Sequence, residues 1–230
     1  MKKTKIDWCD CTINPVVGCK NGCKYCYADR LNDRFHFIKD WCEPEFFPER
    51  LEQLKSKKPK SIFMDSMSDF GWWKREWCTE IYNAIAKNLQ HNYIFLTTGY
   101  DNYSQTCVGE MFFWRKHQKS VTGKQNIFLG KTVDKNERFS IFEQYDFLSI
   151  EPILEPIDLK GIEHNLYIKQ VIIGAETGNR KGKVIPKKEW IDDIVKACDK
   201  ANVRVFMKES LRSIMGADFR QDKLIWEIEK

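Results

Sequence analysis

Between residues 61 and 207 the chain alternates short β-rich runs with stretches of helical periodicity, and this alternation limits the fold more than any other feature. Ser61-Ile-Phe-Met-Asp65, Tyr93-Ile-Phe-Leu-Thr97, Ile127–Val133, Phe147-Leu-Ser-Ile150, Lys169–Gly174 and Val203-Arg-Val-Phe-Met207 read as strands. Trp77, Ile81, Ala84, Ile85 and Leu89 recur at helical spacing and predict a helix over roughly 74–90. Pro186 is placed to open a second helix at its first position, with Trp190, Ile191, Ile194, Val195 and Cys198 on one apolar face. A short helix is expected through Phe139 and Phe142. Strand–helix repetition argues for a parallel sheet with crossover helices. The expected fold is α/β: an incomplete, TIM-like (β/α) barrel of six or seven parallel strands with outer helices, in a single domain spanning 1–230. No internal repeat, low-complexity tract or linker marks a second domain. The segment 99–126 is irregular and reads either as a lid or substrate loop or as an ordinary helix of weak periodicity.

In a barrel of this kind chemistry gathers at the carboxyl ends of the strands. The polar residues falling there are Ser66, Ser68 and Asp69; Thr97 and Thr98; Thr132 and Asp134; Glu151; Glu176; and Lys208.

Composition narrows the setting. With 42% hydrophobic residues in 230, the chain can bury a sizeable core without staples. No apolar stretch follows Met-Lys-Lys-Thr-Lys as it would in a secretory leader. No apolar run approaches the roughly 18–20 residues of a membrane span. The expectation is a reducing cytoplasm, where clustered cysteines more often bind metal than cross-link. The formal charge of +5 and pI of about 8.6 permit contact with nucleic acid or with an acidic electron donor, but a solvated lysine-rich surface explains them as well.

Cys19, Cys23 and Cys26 stand as C-x3-C-x2-C within Gly18-Cys-Lys-Asn-Gly-Cys-Lys-Tyr-Cys-Tyr27. Three thiolates this close can converge on one metal centre, and soft sulfur ligands select zinc, copper(I) or iron–sulfur clusters. Structural zinc sites usually bring four protein ligands in C-x2-4-C pairs. Ferredoxin-type runs use C-x2-C-x2-C and a fourth cysteine. A three-cysteine set would leave one iron of a four-iron cluster open. A structural zinc site and unrelated thiols are the competing readings.

C-x3-C-x2-C with an aromatic residue, Tyr25, just before the last cysteine resembles the signature of the radical S-adenosylmethionine (SAM) superfamily. Nearly the whole chain further resembles one group within it, a phage- and bacteria-associated family of unknown function found beside three-Cys-motif partner proteins. The likeness runs through Lys5-Ile-Asp-Trp-Cys-Asp10, Asn14-Pro-Val-Val-Gly-Cys19, Cys26-Tyr-Ala28 and Asp65-Ser-Met-Ser-Asp69. It continues through Phe128-Leu-Gly130, Val133-Asp134, Glu151-Pro152, Asp158-Leu159, Val171–Gly178 and Val205-Phe-Met-Lys208. The chain departs from the family at strand ends, with Leu96-Thr-Thr-Gly-Tyr100, Gly174-Ala-Glu-Thr-Gly178 and Lys208-Glu-Ser210.

The resemblance implies a four-iron four-sulfur cluster on Cys19, Cys23 and Cys26, with SAM on the fourth iron. It implies a radical SAM enzyme that reductively cleaves SAM to a 5′-deoxyadenosyl radical, which takes hydrogen from a substrate. It places SAM contacts at Tyr25, Ser66, Ser68, Asp69, Thr132, Asp134, Glu151, Gly174, Glu176 and Lys208. The ordinary alternatives are helix caps at Ser68, Asp69 or Asp134, a plain tight turn around Glu176, and pairing of Lys208 with a carboxylate of the protein. Expected partners are an electron donor such as flavodoxin or ferredoxin and a three-Cys-motif protein. A nucleotide or nucleic acid is the leading substrate class, since aromatic side chains can stack on bases. A metal-stabilised nucleic-acid-binding module, or a SAM-cleaving regulatory partner of another protein, would be built from the same features.

The remaining cysteines divide. Cys78 and Cys198 fall on apolar helix faces and read as core. Cys9 and Cys11 lie close enough to the triad to suggest an auxiliary cluster, whereas Cys42 and Cys107 read as isolated. The four histidines show no ligand spacing and receive no role.

Overall fold

Each predicted strand forms, and all join one sheet. In the computed structural model, which describes residues 4–98, 107–134 and 144–227, seven strands run in the order β1-β4-β5-β6-β7-β8-β9. They are β1 (Cys11–Thr12), β4 (Ser61–Phe63), β5 (Asn92–Thr97), β6 (Ile127–Thr132), β7 (Phe147–Ile150), β8 (Gln170–Ile173) and β9 (Arg204–Met207). The pairings β1–β4, β4–β5, β6–β7, β7–β8 and β8–β9 are parallel. A small antiparallel pair, β2 (Val16–Val17) with β3 (Glu45–Phe46), stands apart from it. Strand order and direction are those of an incomplete (β/α) barrel with helical crossovers, as expected. The described residues divide into two compact units, one up to Leu129 and the other Gly130–Glu227.

In the first unit, Ile62 of β4 and Tyr93, Ile94 and Phe95 of β5 are fully buried, as parallel strands covered on both faces must be. Phe95 meets Phe70 and Trp73 edge-on, each with ring centroids 6.0 Å apart. Helix α1 (Tyr27–Phe35) and helix α2 (Arg75–Ala86) belong to this unit. Cys78, Ile81 and Ile85 form the buried face of α2; of the other residues in the expected stripe, Trp77 and Ala84 are half-buried, and Leu89 is exposed beyond the helix, which ends at Ala86 and not near 90. Part of the irregular segment is a regular helix, α3 (Cys107–Thr122). Its weak periodicity has a physical source. Trp114 stacks on Tyr82 of α2 at 4.6 Å, and Cys107 forms a disulfide with Cys78, so aromatic and covalent contacts replace an aliphatic stripe. Cys107 is therefore not isolated. The packing of α3 on α2 brings two cysteines 29 residues apart to a Cα separation of 6.4 Å. Residues 99–106 of that segment, and the short helix expected through Phe139 and Phe142, lie outside the described residues.

In the second unit, alternation along the strands sorts side chains onto two faces. Leu148, Ile150, Val171, Ile173, Val205 and Met207 pack with Ile191, Ile194 and Cys198 of helix α4 (Lys188–Lys200). The opposite face carries Phe147, Ser149 and Glu151; Gln170, Ile172 and Gly174; and Phe206 and Lys208. The Phe147 ring lies against Gly130 and meets Trp226 edge-on at 4.8 Å. Helix α4 starts two residues later than Pro186 suggested. Lys187 is extended (φ −79°, ψ 146°), and the buried Pro186 anchors the approach to the helix instead of occupying its first turn.

Among the described residues no helix is long and apolar enough to cross a membrane.

Candidate metal centre and strand-end sites

The cysteine segment begins where β2 ends, and its path is set by Gly18. Gly18 has φ 109°, and a Cβ there would stand 2.9 Å from Trp41 O, Pro44 Cα and Ile38 Cδ1, so only glycine fits. Gly18 N donates to Met67 O at 2.9 Å, and Cys19 N donates to Trp41 O at 2.8 Å. Gly18 forms an isolated parallel bridge with Ser68, beyond the carboxyl end of β4. The far end is fixed by α1. Cys26 is its N-cap residue, and the sulfur accepts from Asp29 N at 3.4 Å. The chain leaving α1 is held by Asn32, which donates to Ile38 O at 3.2 Å and accepts from Ile38 N at 3.0 Å.

Cys19, Cys23 and Cys26 are all partly buried thiols outside any disulfide. Burial pushes the Cys19 thiol well above the usual cysteine range, and negative charge on Asp69, Cys26 and Cys23 adds to the rise. Burial raises Cys26 too, against backbone N–H groups of Asp29 and Ala28 that favour its thiolate. The Cys19 sulfur thus feels the charge of the other two. Among the described residues, however, no three His, Cys, Asp or Glu side chains stand as a preformed metal-holding group. The donor set fits an iron–sulfur cluster in its chemistry: three soft sulfurs on one loop, two of them receiving peptide N–H groups. Thiolate ligation would release protons that burial now holds on sulfur.

Asp69 is the hub beside this loop. It is 4% exposed. Its Oδ2 accepts from Asn21 Nδ2 at 2.8 Å, Thr98 N at 2.9 Å and Thr98 Oγ1 at 3.1 Å. Its Oδ1 accepts from Gly71 N at 2.8 Å, so Asp69 does cap the short 3-10 turn Phe70–Trp72. Asn21, between the first two cysteines, also accepts from Trp72 Nε1 at 2.6 Å. Asp65 lies deeper. Both its oxygens accept from Leu96 N at 3.1 Å, and burial together with the Asp69 charge raises its carboxyl well above the usual range.

The serines are engaged differently. Ser66 Oγ donates to Asn14 Oδ1 at 3.0 Å, while Ser66 O accepts from Tyr27 Oη at 2.6 Å. Ser68 Oγ accepts from Trp73 Nε1 at 3.1 Å. Tyr25 is partly buried, and its carbonyl accepts from Arg30 at 3.3 Å. Cys11 lies buried on β1 with its thiol raised by burial, and Cys9 precedes that strand.

The second unit gathers a separate set. The ladder continues one residue past the strands: Gly174 N donates to Ile150 O at 3.0 Å, and Lys208 N to Ile173 O at 2.8 Å. Glu151, Gly174 and Lys208 therefore stand side by side, and the Lys208 ammonium pairs with Glu151 Oε1. A Cβ on Gly174 would lie 3.0 Å from Lys208 Cδ and 3.2 Å from Glu151 Cγ. Thr132 and Asp134 are partly buried at and just beyond the end of β6. Glu176 turns inward. It accepts from Arg180 Nε at 2.5 Å and Arg180 Nη2 at 2.7 Å, and receives Val184 N at 3.4 Å, which pins the 176–184 turn.

Sequence reading missed Asn14, Asn21, Trp72 and Arg180, since polar residues in loops carry no periodic signal. It also missed Ser149, whose Oγ is buried without a hydrogen-bond partner among the described residues, on the same face as Glu151.

Fold and site together define an α/β protein with a partial parallel barrel and a cysteine loop held at its strand ends. The family model described as Protein of unknown function (DUF5131) matches residues 3–215, and the chain belongs to that family. No curated protein and no solved structure matches it.

Proposed function

We propose that this chain is a radical SAM enzyme of the reducing cytoplasm, a member of the phage-associated group found beside three-Cys-motif proteins. The observation that supports it most is the loop of three partly buried thiols outside any disulfide, pinned at Gly18 and at the start of α1. Cys19, Cys23 and Cys26 would hold three irons of a four-iron four-sulfur cluster. When bound, that group supplies the reducing electron that splits SAM into methionine and a 5′-deoxyadenosyl radical, and the radical takes hydrogen from the substrate.

The chain's own residues have narrower tasks. The Asn21 and Asp29 backbone N–H groups favour thiolate at Cys19 and Cys26. Ser66 and Ser68 carry hydroxyls suited to the SAM amino or carboxylate group, and Tyr25 offers a ring for the adenine. In the second unit, Thr132 and Asp134 suit ribose contacts. The Glu151–Lys208 pair offers one charge of each sign beside the small Gly174. Glu176 serves through the Arg180 clasp that shapes its turn. The reductant is a flavodoxin- or ferredoxin-like donor, and a nucleotide or nucleic acid is the substrate class we favour.

Anaerobic reconstitution with iron and sulfide tests this reading. The expected product is a brown protein with broad absorbance, about four irons per chain by the cluster's composition, that converts SAM to 5′-deoxyadenosine under reductant. A colourless zinc protein inert to SAM would overturn it.

A further inference from the structure

We propose that Asp69 and Asn21 form a strut that positions the cysteine loop, and that Asp69 acts through this strut and not as a SAM contact. The inference rests on the radical SAM reading for its purpose, but the strut is a property of the protein without iron.

The loop from Gly18 to Cys26 is fixed at its start by backbone bonds and at its end by the Cys26 sulfur, which caps α1. Its middle carries Cys23 and the exposed Gly22 at φ 64°. Two side chains of that loop are shown reaching the body of the unit: Lys20, whose ammonium meets Glu43 at 3.4 Å on the surface, and Asn21, which reaches inward. The Asn21 amide donates to Asp69 and its carbonyl accepts from Trp72, so both ends of the amide are used. Asp69 in turn collects Thr98 from the end of β5 and Gly71 from the 3-10 turn. The carboxylate thus joins the loop to the segments following β4 and β5.

Four donors meet this carboxylate, three of them on Oδ2, which fills the lone pairs of that oxygen, and the side chain is buried. A SAM ammonium could bind Oδ2 only by displacing one of those three; otherwise it would have to reach Oδ1, which already accepts from Gly71 N, on a residue 4% exposed. Releasing Asn21 would also cost the charge-assisted bond of a partly buried amide, which a new contact would have to repay. The neighbouring Ser66 and Ser68 have no such saturation and remain the better ligand candidates.

The test uses the full chain with Asn21→Ala, Asp69→Asn and the double variant. Asn21→Ala leaves every charge in place and removes only the tie. The first readout needs no cluster: site-resolved alkylation of the three thiols by iodoacetamide, quantified by mass spectrometry. Loop release should speed labelling of Cys19 and Cys23 by about tenfold, the size of losing one charge-assisted hydrogen bond. Labelling of the core residue Cys198 should not change. The second readout is iron content and the electron paramagnetic resonance spectrum after reconstitution. Both single variants should load less iron and shift the spectrum alike, and the double variant should be no worse than the stronger single, as expected when two residues act as one unit.

Wild-type labelling rates in Asn21→Ala would overturn the strut. Loss of SAM binding in Asp69→Asn, with normal iron and normal labelling, would overturn it in favour of a direct SAM contact. If the wild type takes no iron, the radical SAM reading fails while the alkylation result still decides the strut.

Discussion

The Lys208 ammonium reaches the Glu151 carboxylate across Gly174, whose missing Cβ is the space that the two side chains use. Gly174→Ala should therefore part the pair. Overpacking of this kind costs about 1–3 kcal/mol. Urea denaturation should show a lower midpoint with an unchanged slope, whereas an unaltered midpoint would mean that both side chains move aside freely.

The disulfide between Cys78 and Cys107 closes a loop with a sequence separation of 29 and is 0% and 2% exposed at its two residues. Chain-entropy arguments give such a link about 2–4 kcal/mol. Cys107→Ser should lower the thermal midpoint by several degrees. Mild reductant should leave the wild type unaffected until it is heated, because solvent thiols cannot reach the buried sulfurs.

Cys23→Ala should abolish iron loading and SAM cleavage together, whereas Cys198→Ala, in the α4 core, should change stability and leave iron content alone. Iron analysis of the two reconstituted variants side by side checks the assignment. Full iron in Cys23→Ala would remove it.

Acid should loosen the second unit through Asp222. Its carboxylate accepts from Val205 N at 2.8 Å and from Arg220, and the Arg220 guanidinium holds it below the usual 3.8. A depressed carboxyl adds stability that is full above its unfolded value and is lost as pH falls through the folded one. Stability should thus decline as pH drops below about 4, and Asp222→Asn should flatten that part of the profile while costing about 1–3 kcal/mol at neutral pH. An identical pH profile in the variant would rule the linkage out.

Strands β4 to β9 were legible because buried parallel strands repeat one chemical character, and α2 and α4 because an apolar stripe repeats at helical spacing. β1, β2 and β3 are two residues each, too short for any period to show, and α1 is hidden behind a polar sequence with only Ala28 and Asn32 buried. The cysteine triad was legible because it is local in sequence. The Asp69 hub was visible only as one strand-end acid, since its partners Asn21 and Thr98 stand 48 and 29 residues away. Glu176 reads as a ligand candidate because small residues surround it, while its pairing with Arg180 four residues on carries no sequence signal.

Gly18 and Cys26 are both clamped, one by a close approach to Trp41 and Pro44 and the other by the first turn of α1. The spacing of the three cysteines is therefore a ruler with both ends nailed down. An insertion or deletion inside it has nowhere to be absorbed except between the sulfurs, so this stretch should tolerate exchange of residues far better than any change of length.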